Sequence, residues 1–288
     1  MAVVNVRGTD YYIHNGLKKK WDSIKDGKLA QKDEDRVYVV DGRERSGKSL
    51  FSIQQVAYID PTILDDEDEK ILPRICFSSK EVLYAIRNTR STKSHTKVII
   101  FDEAFRGMSS KSALSQENKR LVQAMMEMGQ FNLVLFIVSP SFFLLEMYPA
   151  VLRSNALFHI KKDKKSQRRI FKVYNYNKKA MLYQIGIRKG WGYPIGTKQK
   201  GNFFNKYPGG DAFEIKYRKK KADSLKETNK EETKIHRWQT QRDTLLKILH
   251  EQGLSYSQIV EILKDKGIPI SKGQISNILL KNKEKDDF

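Results

Sequence analysis

Between a β-branched and aromatic run, Arg36-Val37-Tyr38-Val39-Val40, and a helix-like stretch over 49–57 stands Gly42-Arg43-Glu44-Arg45-Ser46-Gly47-Lys48-Ser49. Its two glycines permit backbone angles that a side chain resists, so the loop's amide hydrogens can converge on one anion. The helix that follows adds the partial positive charge of its N-terminus. This is the Gly-x-x-x-x-Gly-Lys-Ser phosphate loop, and its setting between a strand and a helix is what gives the pattern weight. The sequence therefore predicts ATP in the cradle of Gly42, Arg43, Glu44, Arg45, Ser46 and Gly47. Lys48 is expected to reach the β- and γ-phosphates, and the Ser49 hydroxyl to ligate Mg2+.

A second strand, Val98-Ile99-Ile100-Phe101, delivers Asp102 and Glu103 at its carboxyl end, the edge where ligands sit in open α/β sheets. Asp102 is the expected second metal-binding side chain, acting through water, and Glu103 the expected general base on the attacking water. A third strand ends at Ser139-Pro140-Ser141, where Ser139 is placed to sense the γ-phosphate. Arg153 is the first candidate for an arginine that stabilises transition-state charge, with Arg120 and Arg106 as competitors.

Runs that are apolar throughout, over 36–40, 97–101 and 133–138, predict strands covered on both faces, hence an α/β fold with a mostly parallel sheet flanked by helices. A short strand is expected at 74–77, helices at 79–88 and 118–128, and later strands at 157–160 and 170–174. Residues 181–216 carry glycine and aromatics with no clear period. Four segments result: a polar arm over 1–35 with room for one short helix, a nucleotide-binding domain over 36–216, a basic linker or solvated helix over 217–234, and a small all-α domain over 235–288.

The 288 residues are 39% hydrophobic and 31% charged, enough for one sizeable core with polar segments left over. Lysine and arginine number 54 against 34 acids, a formal charge of +20, which points to a polyanionic partner and first to nucleic acid. A solvated lysine-rich surface would give the same count. Cys76 is the single cysteine, so a disulfide within the chain is excluded. The longest apolar run, 131–145, is interrupted by Asn132 and Pro140 and falls short of the roughly 20 residues of a spanning helix. A cytoplasmic protein without a membrane span is expected, in a host cell if the source is viral.

In order along the chain stand the phosphate loop, Phe101-Asp102-Glu103-Ala104, a helix, Asn132-Leu133-Val134-Leu135-Phe136-Ile137-Val138-Ser139, a segment from Leu145 to Arg153, and a strand over 156–160. Over 36–160 this resembles the FtsK/HerA-type DNA-pumping ATPases, including viral packaging motors and the zonular occludens toxin-like proteins. Ser139 stands where that family commonly carries a glutamine sensor, and Gly129-Gln130-Phe131 where an arginine is usual. The resemblance implies a homo-oligomer, a hexameric ring, that translocates double-stranded DNA.

Beyond 235, a helix over 236–252 with Leu245, Leu246 and Leu249 inward is expected to stop at Gly253. A short helix over 257–264, capped by Ser255, a turn at Lys266-Gly267-Ile268-Pro269, and a segment over 273–280 complete a helix-turn-helix outline. It resembles the DNA-binding end of resolvase and invertase recombinases. That likeness implies Lys272, Gln274, Ser276 and Asn277 toward the major groove, and Lys281 and Lys283 on phosphates. A helical oligomerisation bundle has the same outline.

Taken together, these features predict an ATP-hydrolysing motor or remodeller on DNA in a virus or mobile element, serving packaging, transfer or replication. A DNA-bound ATP switch, an RNA-directed ATPase and a non-motor assembly protein with acidic partners remain open beside it.

Overall fold

The computed structural model describes residues 2–67, 70–104, 116–163, 167–268 and 270–286. Its first surprise is the amino-terminal segment. Residues 1–35, expected as an arm, form a hairpin of β1 (Ala2–Val6) and β2 (Thr9–Ile13), then α1 (Asn15–Asp22) and α2 (Lys28–Gln31). Val4, Val6, Tyr11 and Ile13 alternate inward along the hairpin, and Trp21 is fully buried. The Tyr11 hydroxyl donates to the Gln54 carbonyl at 2.8 Å, and the Trp21 indole N–H to Gln55 Oε1 at 2.9 Å. The segment belongs to the main core because its period-2 pattern buries one face, a signal blurred by Val3 and Tyr12 on the outward face.

The rest of the first unit follows the order β3 (Arg36–Gly42), α3 (Lys48–Ile59), β4 (Ile75–Cys76), α4 (Ser79–Asn88), β5 (Val98–Phe101), α5 (Gln116–Glu127) and β6 (Val134–Ser139). Then come β7 (Ala156–Lys162), β8 (Arg169–Asn175), α6 (Tyr176–Arg188), β9 (Lys200–Phe203) and α7 (Gly210–Glu251). The sheet runs β4-β5-β6-β3-β7-β8-β9, parallel from β4 through β7 and antiparallel across β8 and β9. This is an α/β fold built on a mostly parallel seven-stranded sheet flanked by helices. The 181–216 stretch resolves into the end of α6, strand β9 and the start of α7.

Both faces of the central strands are covered. Tyr38 and Val40 of β3 pack with Trp21, Phe51, Phe136 and Phe158 on one side; Val37 and Val39 pack with Ile86, Leu121, Met125 and Leu182 on the other. Because the strands from β4 to β7 are parallel, β3, β5 and β6 all end on one edge, carrying the loop, the acids and Ser139 to the same place.

Contacts divide the chain into two units, Met1–Lys221 and Ala222–Phe288. The segment over 217–234, expected as a basic linker or solvated helix, is helical throughout, inside α7. In the second unit α8 (Tyr256–Asp265) and α9 (Lys272–Asp286) close a small core of Leu246, Ile259, Ile275 and Leu279 with the end of α7. Ser255 and Gln258 form the capping box of α8, and Gly253, at φ 88°, ends α7. Of the three leucines expected inward, Leu246 is buried and Leu249 packs against the same core, whereas Leu245 is 60% exposed. No helix among the described residues is long and apolar enough to cross a membrane.

Candidate nucleotide site

Gly42, at φ 145°, and Gly47, at φ 98°, bracket the loop. A Cβ on Gly42 would lie 2.2 Å from the Ile160 carbonyl oxygen of β7, so the loop can leave β3 only through glycine. Lys48 opens α3, and its ammonium donates to the Arg43 carbonyl at 3.0 Å, closing the loop on itself. Burial pulls the Lys48 pKa below the ordinary lysine value, against the opposing pull of Glu103, Asp102 and Asp41.

The Ser49 hydroxyl donates to Asp102 Oδ1 at 3.1 Å. Asp102 is almost wholly buried, and Glu103 follows it at φ 66°, a left-handed angle unusual for a side-chain-bearing residue. Lys48, Ser49, Asp102, Glu103 and Ser139 line one cavity of about 900 Å³. A hydroxyl and a carboxylate held together at the start of α3 are hard oxygen donors, the set that suits Mg2+ beside a triphosphate. Ser139, buried, donates to the Ser141 carbonyl at 2.9 Å while lining the same cavity.

Arg153 is elsewhere. It precedes β7 at the amino end of the sheet, donates to the Met125 carbonyl at 3.0 Å and pairs with Asp35. From Ala156 to Ile160, which pairs with Gly42, the strand alone spans about 13 Å at ~3.3 Å per residue. Arg153 therefore braces the far edge of its own subunit and does not reach its own phosphate loop. Arg120 is exposed on α5, and Arg106 lies outside the described residues.

Several residues of the site had no sequence signal of their own. Arg169 of β8 sits over Gly47, with its Nη1 2.8 Å from where a Cβ would stand, and bonds Asn205 Oδ1 at 2.9 Å. From α7, Tyr217 donates to Asp102 Oδ2 at 2.5 Å, and Lys221 stands 2.7 Å from Glu103 Oε1 and 3.5 Å from Asp102 Oδ2. Burial, then the Asp102 charge, drives the Tyr217 pKa well above the ordinary tyrosine value. For Lys221 burial opposes the charge, but Asp102 and Glu103 together hold its pKa above the ordinary lysine value. The pair Phe213 and Tyr217, four apart in a charged run, was the one available hint.

Behind the loop, buried Asp41 accepts from the Phe142 amide at 2.9 Å, lies 2.8 Å from His159 Nδ1 and bonds the Tyr193 hydroxyl. His159 stacks on Tyr193 at 3.7 Å, and Phe203 is a core residue, whereas Trp191 and Phe204 stay about half exposed. In the second unit Lys272, Gln274 and Asn277 are exposed on α9 and Ser276 is half-buried. Gln274 is partly spent on its own helix, accepting from the Ser271 amide at 2.9 Å. The side chains of Lys281 and Lys283 lie outside the described ones.

No protein-family model matches this chain, and no curated protein matches it. Among solved structures it is similar to the N-terminal domain of zonular occludens toxin from Neisseria meningitidis, with 17% identity over 50% of this chain and 85% of that one, at a TM-score of 0.35. It is similar as well to the genome packaging NTPase B204 of Sulfolobus turreted icosahedral virus 2, with 15% identity over 50% of this chain and 94% of that one, at a TM-score of 0.33.

Proposed function

We propose that this chain is an ATP-hydrolysing motor or remodeller that acts on double-stranded DNA. The observation that carries the proposal is the meeting of Lys48, Ser49, Asp102 and Glu103, from α3 and β5, around one cavity at the carboxyl edge of the sheet. The loop amides and Lys48 would bind the β- and γ-phosphates. Ser49 directly, and Asp102 through water, would hold Mg2+, which supplies charge neutralisation at the phosphates when bound. Glu103 would take the proton of the attacking water, and Ser139 would face the γ-phosphate.

The DNA assignment draws on the +20 charge and on the exposed Lys272, Gln274 and Asn277 of α9 in the second unit, with Ser276 beside them. A homo-oligomeric ring goes with this proposal; within one chain the arginine beside the phosphate loop is Arg169, not Arg153, which is tied to Asp35.

Steady-state ATP turnover by the full chain, measured alone and with duplex DNA, single-stranded DNA or RNA, tests it. Duplex DNA is expected to raise the rate severalfold, with affinity falling steeply as salt rises. Stimulation by RNA alone would move the activity to RNA, and turnover indifferent to every nucleic acid would contradict the DNA assignment.

A further inference from the structure

The carboxylates of Asp102 and Glu103 are adjacent in sequence at the end of β5, and two like charges so close need a cation between them. In this structure that cation is a side chain. Lys221 Nζ stands 2.7 Å from Glu103 Oε1 and 3.5 Å from Asp102 Oδ2. The remaining capacity of Asp102 is also engaged. Its Oδ1 accepts from Ser49 at 3.1 Å and from the Glu103 amide at 3.2 Å, and its Oδ2 accepts from Tyr217 at 2.5 Å.

The segment bearing these two groups is fastened in place. Tyr217 is buried among Phe77, Tyr207 and Phe213, with ring centroids at 5.8, 6.0 and 6.3 Å. Lys220, beside it, donates to the Ile75 carbonyl at 2.7 Å and the Leu72 carbonyl at 3.0 Å and pairs with Glu81 at 3.3 Å. Within five residues of this helix, Tyr217 and Lys221 close over the two acids while Lys220 ties the helix to β4 and the residues before it.

We propose that the first turns of α7 are a latch, with Lys221 as a built-in counter-ion in the place of the metal and Tyr217 holding Asp102. The proposal rests on the nucleotide-site reading above. A divalent cation served by Ser49 and Asp102 oxygens, at about 2.1 Å from any direct ligand, cannot share those oxygens with an ammonium 3.5 Å away without strong repulsion. Metal-loaded nucleotide therefore enters only as Lys221 leaves. The helix that gives way is the one that runs on to Glu251, past the boundary of the first unit. A nucleotide-dependent change in the first turns of α7 is thereby available as an output of the site.

Binding of a fluorescent, non-hydrolysable ATP analogue to the full chain, titrated against free Mg2+, tests the latch. Lys221→Ala is expected to move the Mg2+ midpoint to concentrations about three- to tenfold lower, the scale of one partly exposed ion pair. Lys221→Arg should stay near wild type. Tyr217→Phe, which keeps the ring packing and deletes the hydroxyl, should shift the midpoint the same way by less. With metal chelated, Lys221→Ala should bind the analogue no better than wild type, since no competitor for the oxygens is then present. A midpoint unchanged or raised in both Lys221→Ala and Tyr217→Phe overturns the latch while leaving the nucleotide site standing. A wild-type chain that binds no analogue at any Mg2+ concentration overturns both.

Discussion

Glu103 occupies a left-handed backbone angle at the residue expected to carry the chemistry, a conformation that costs on the order of 1 kcal/mol and persists only where its neighbours enforce it. Here the Asp102 carboxylate accepts the Glu103 amide, and Lys221 holds the Glu103 carboxylate, so the strain aims the side chain into the cavity. A second residue pays a different cost. Lys179 is fully buried, donates to the Val151 carbonyl, and burial pulls its pKa down to about 8. Its unfolded value is near 10.5, so between pH 8 and 10.5 the unfolded chain holds more of this proton and stability rises with pH. Thermal unfolding of wild type and Lys179→Met compared at pH 7 and 9.5 should show the wild type gaining on the variant by about 1 kcal/mol or more as pH rises. A difference independent of pH would mean that Lys179 is not destabilised as a cation. At this scale the gathering of the loop, Asp102 and Glu103 around one cavity was legible, because each follows directly on an apolar strand. Asp41, Arg169, Tyr217 and Lys221 were not, because each acts through a partner 30 or more residues away that only folding brings near.

Among the elements, the strands from β3 to β7 and helices α3 and α4 lay where their apolar runs predicted, since a strand buried on both faces leaves a continuous signature. The hairpin of β1 and β2 did not announce itself: the outward positions include apolar Val3 and aromatic Tyr12, blurring the alternation on either side of Arg7 and Gly8, which turn at φ 51° and 76°. Those two left-handed residues between short alternating runs were the missed sign. The hairpin and α1 cover one face of the sheet, and Trp21 contacts Tyr38, Phe136 and Phe158 at centroid distances of 5.2, 5.9 and 6.1 Å. Trp21→Ala should cost about 3–5 kcal/mol in denaturant unfolding of the first unit. A loss under about 1 kcal/mol would return 1–35 to the status of a dispensable arm. For helix α7 the reading as a linker or solvated helix caught the helix and missed its buried start: the charged stretch over 217–234 hides Tyr217 and Lys221, which turn inward there.

Across the whole molecule, two units share one chain, and nearly all of the +20 charge lies in the first, because Ala222–Phe288 sets 12 lysines and arginines against 11 acids. The fold class was readable because topology follows from the order of apolar strands; the boundary between units, after Lys221, falls within the segment over 217–234 expected to join them, although a continuous helix crosses it. Everything proposed about work on DNA depends on ATP being cleaved between α3 and β5. Turnover of Mg2+-ATP by the purified full chain, set against Glu103→Gln and Lys48→Ala, measures this most directly. Glu103→Gln should bind the nucleotide yet hydrolyse it about 100-fold or more slowly, as befits a lost general base, and Lys48→Ala should lose both binding and turnover. Hydrolysis undiminished in both variants would place the chemistry outside this cavity.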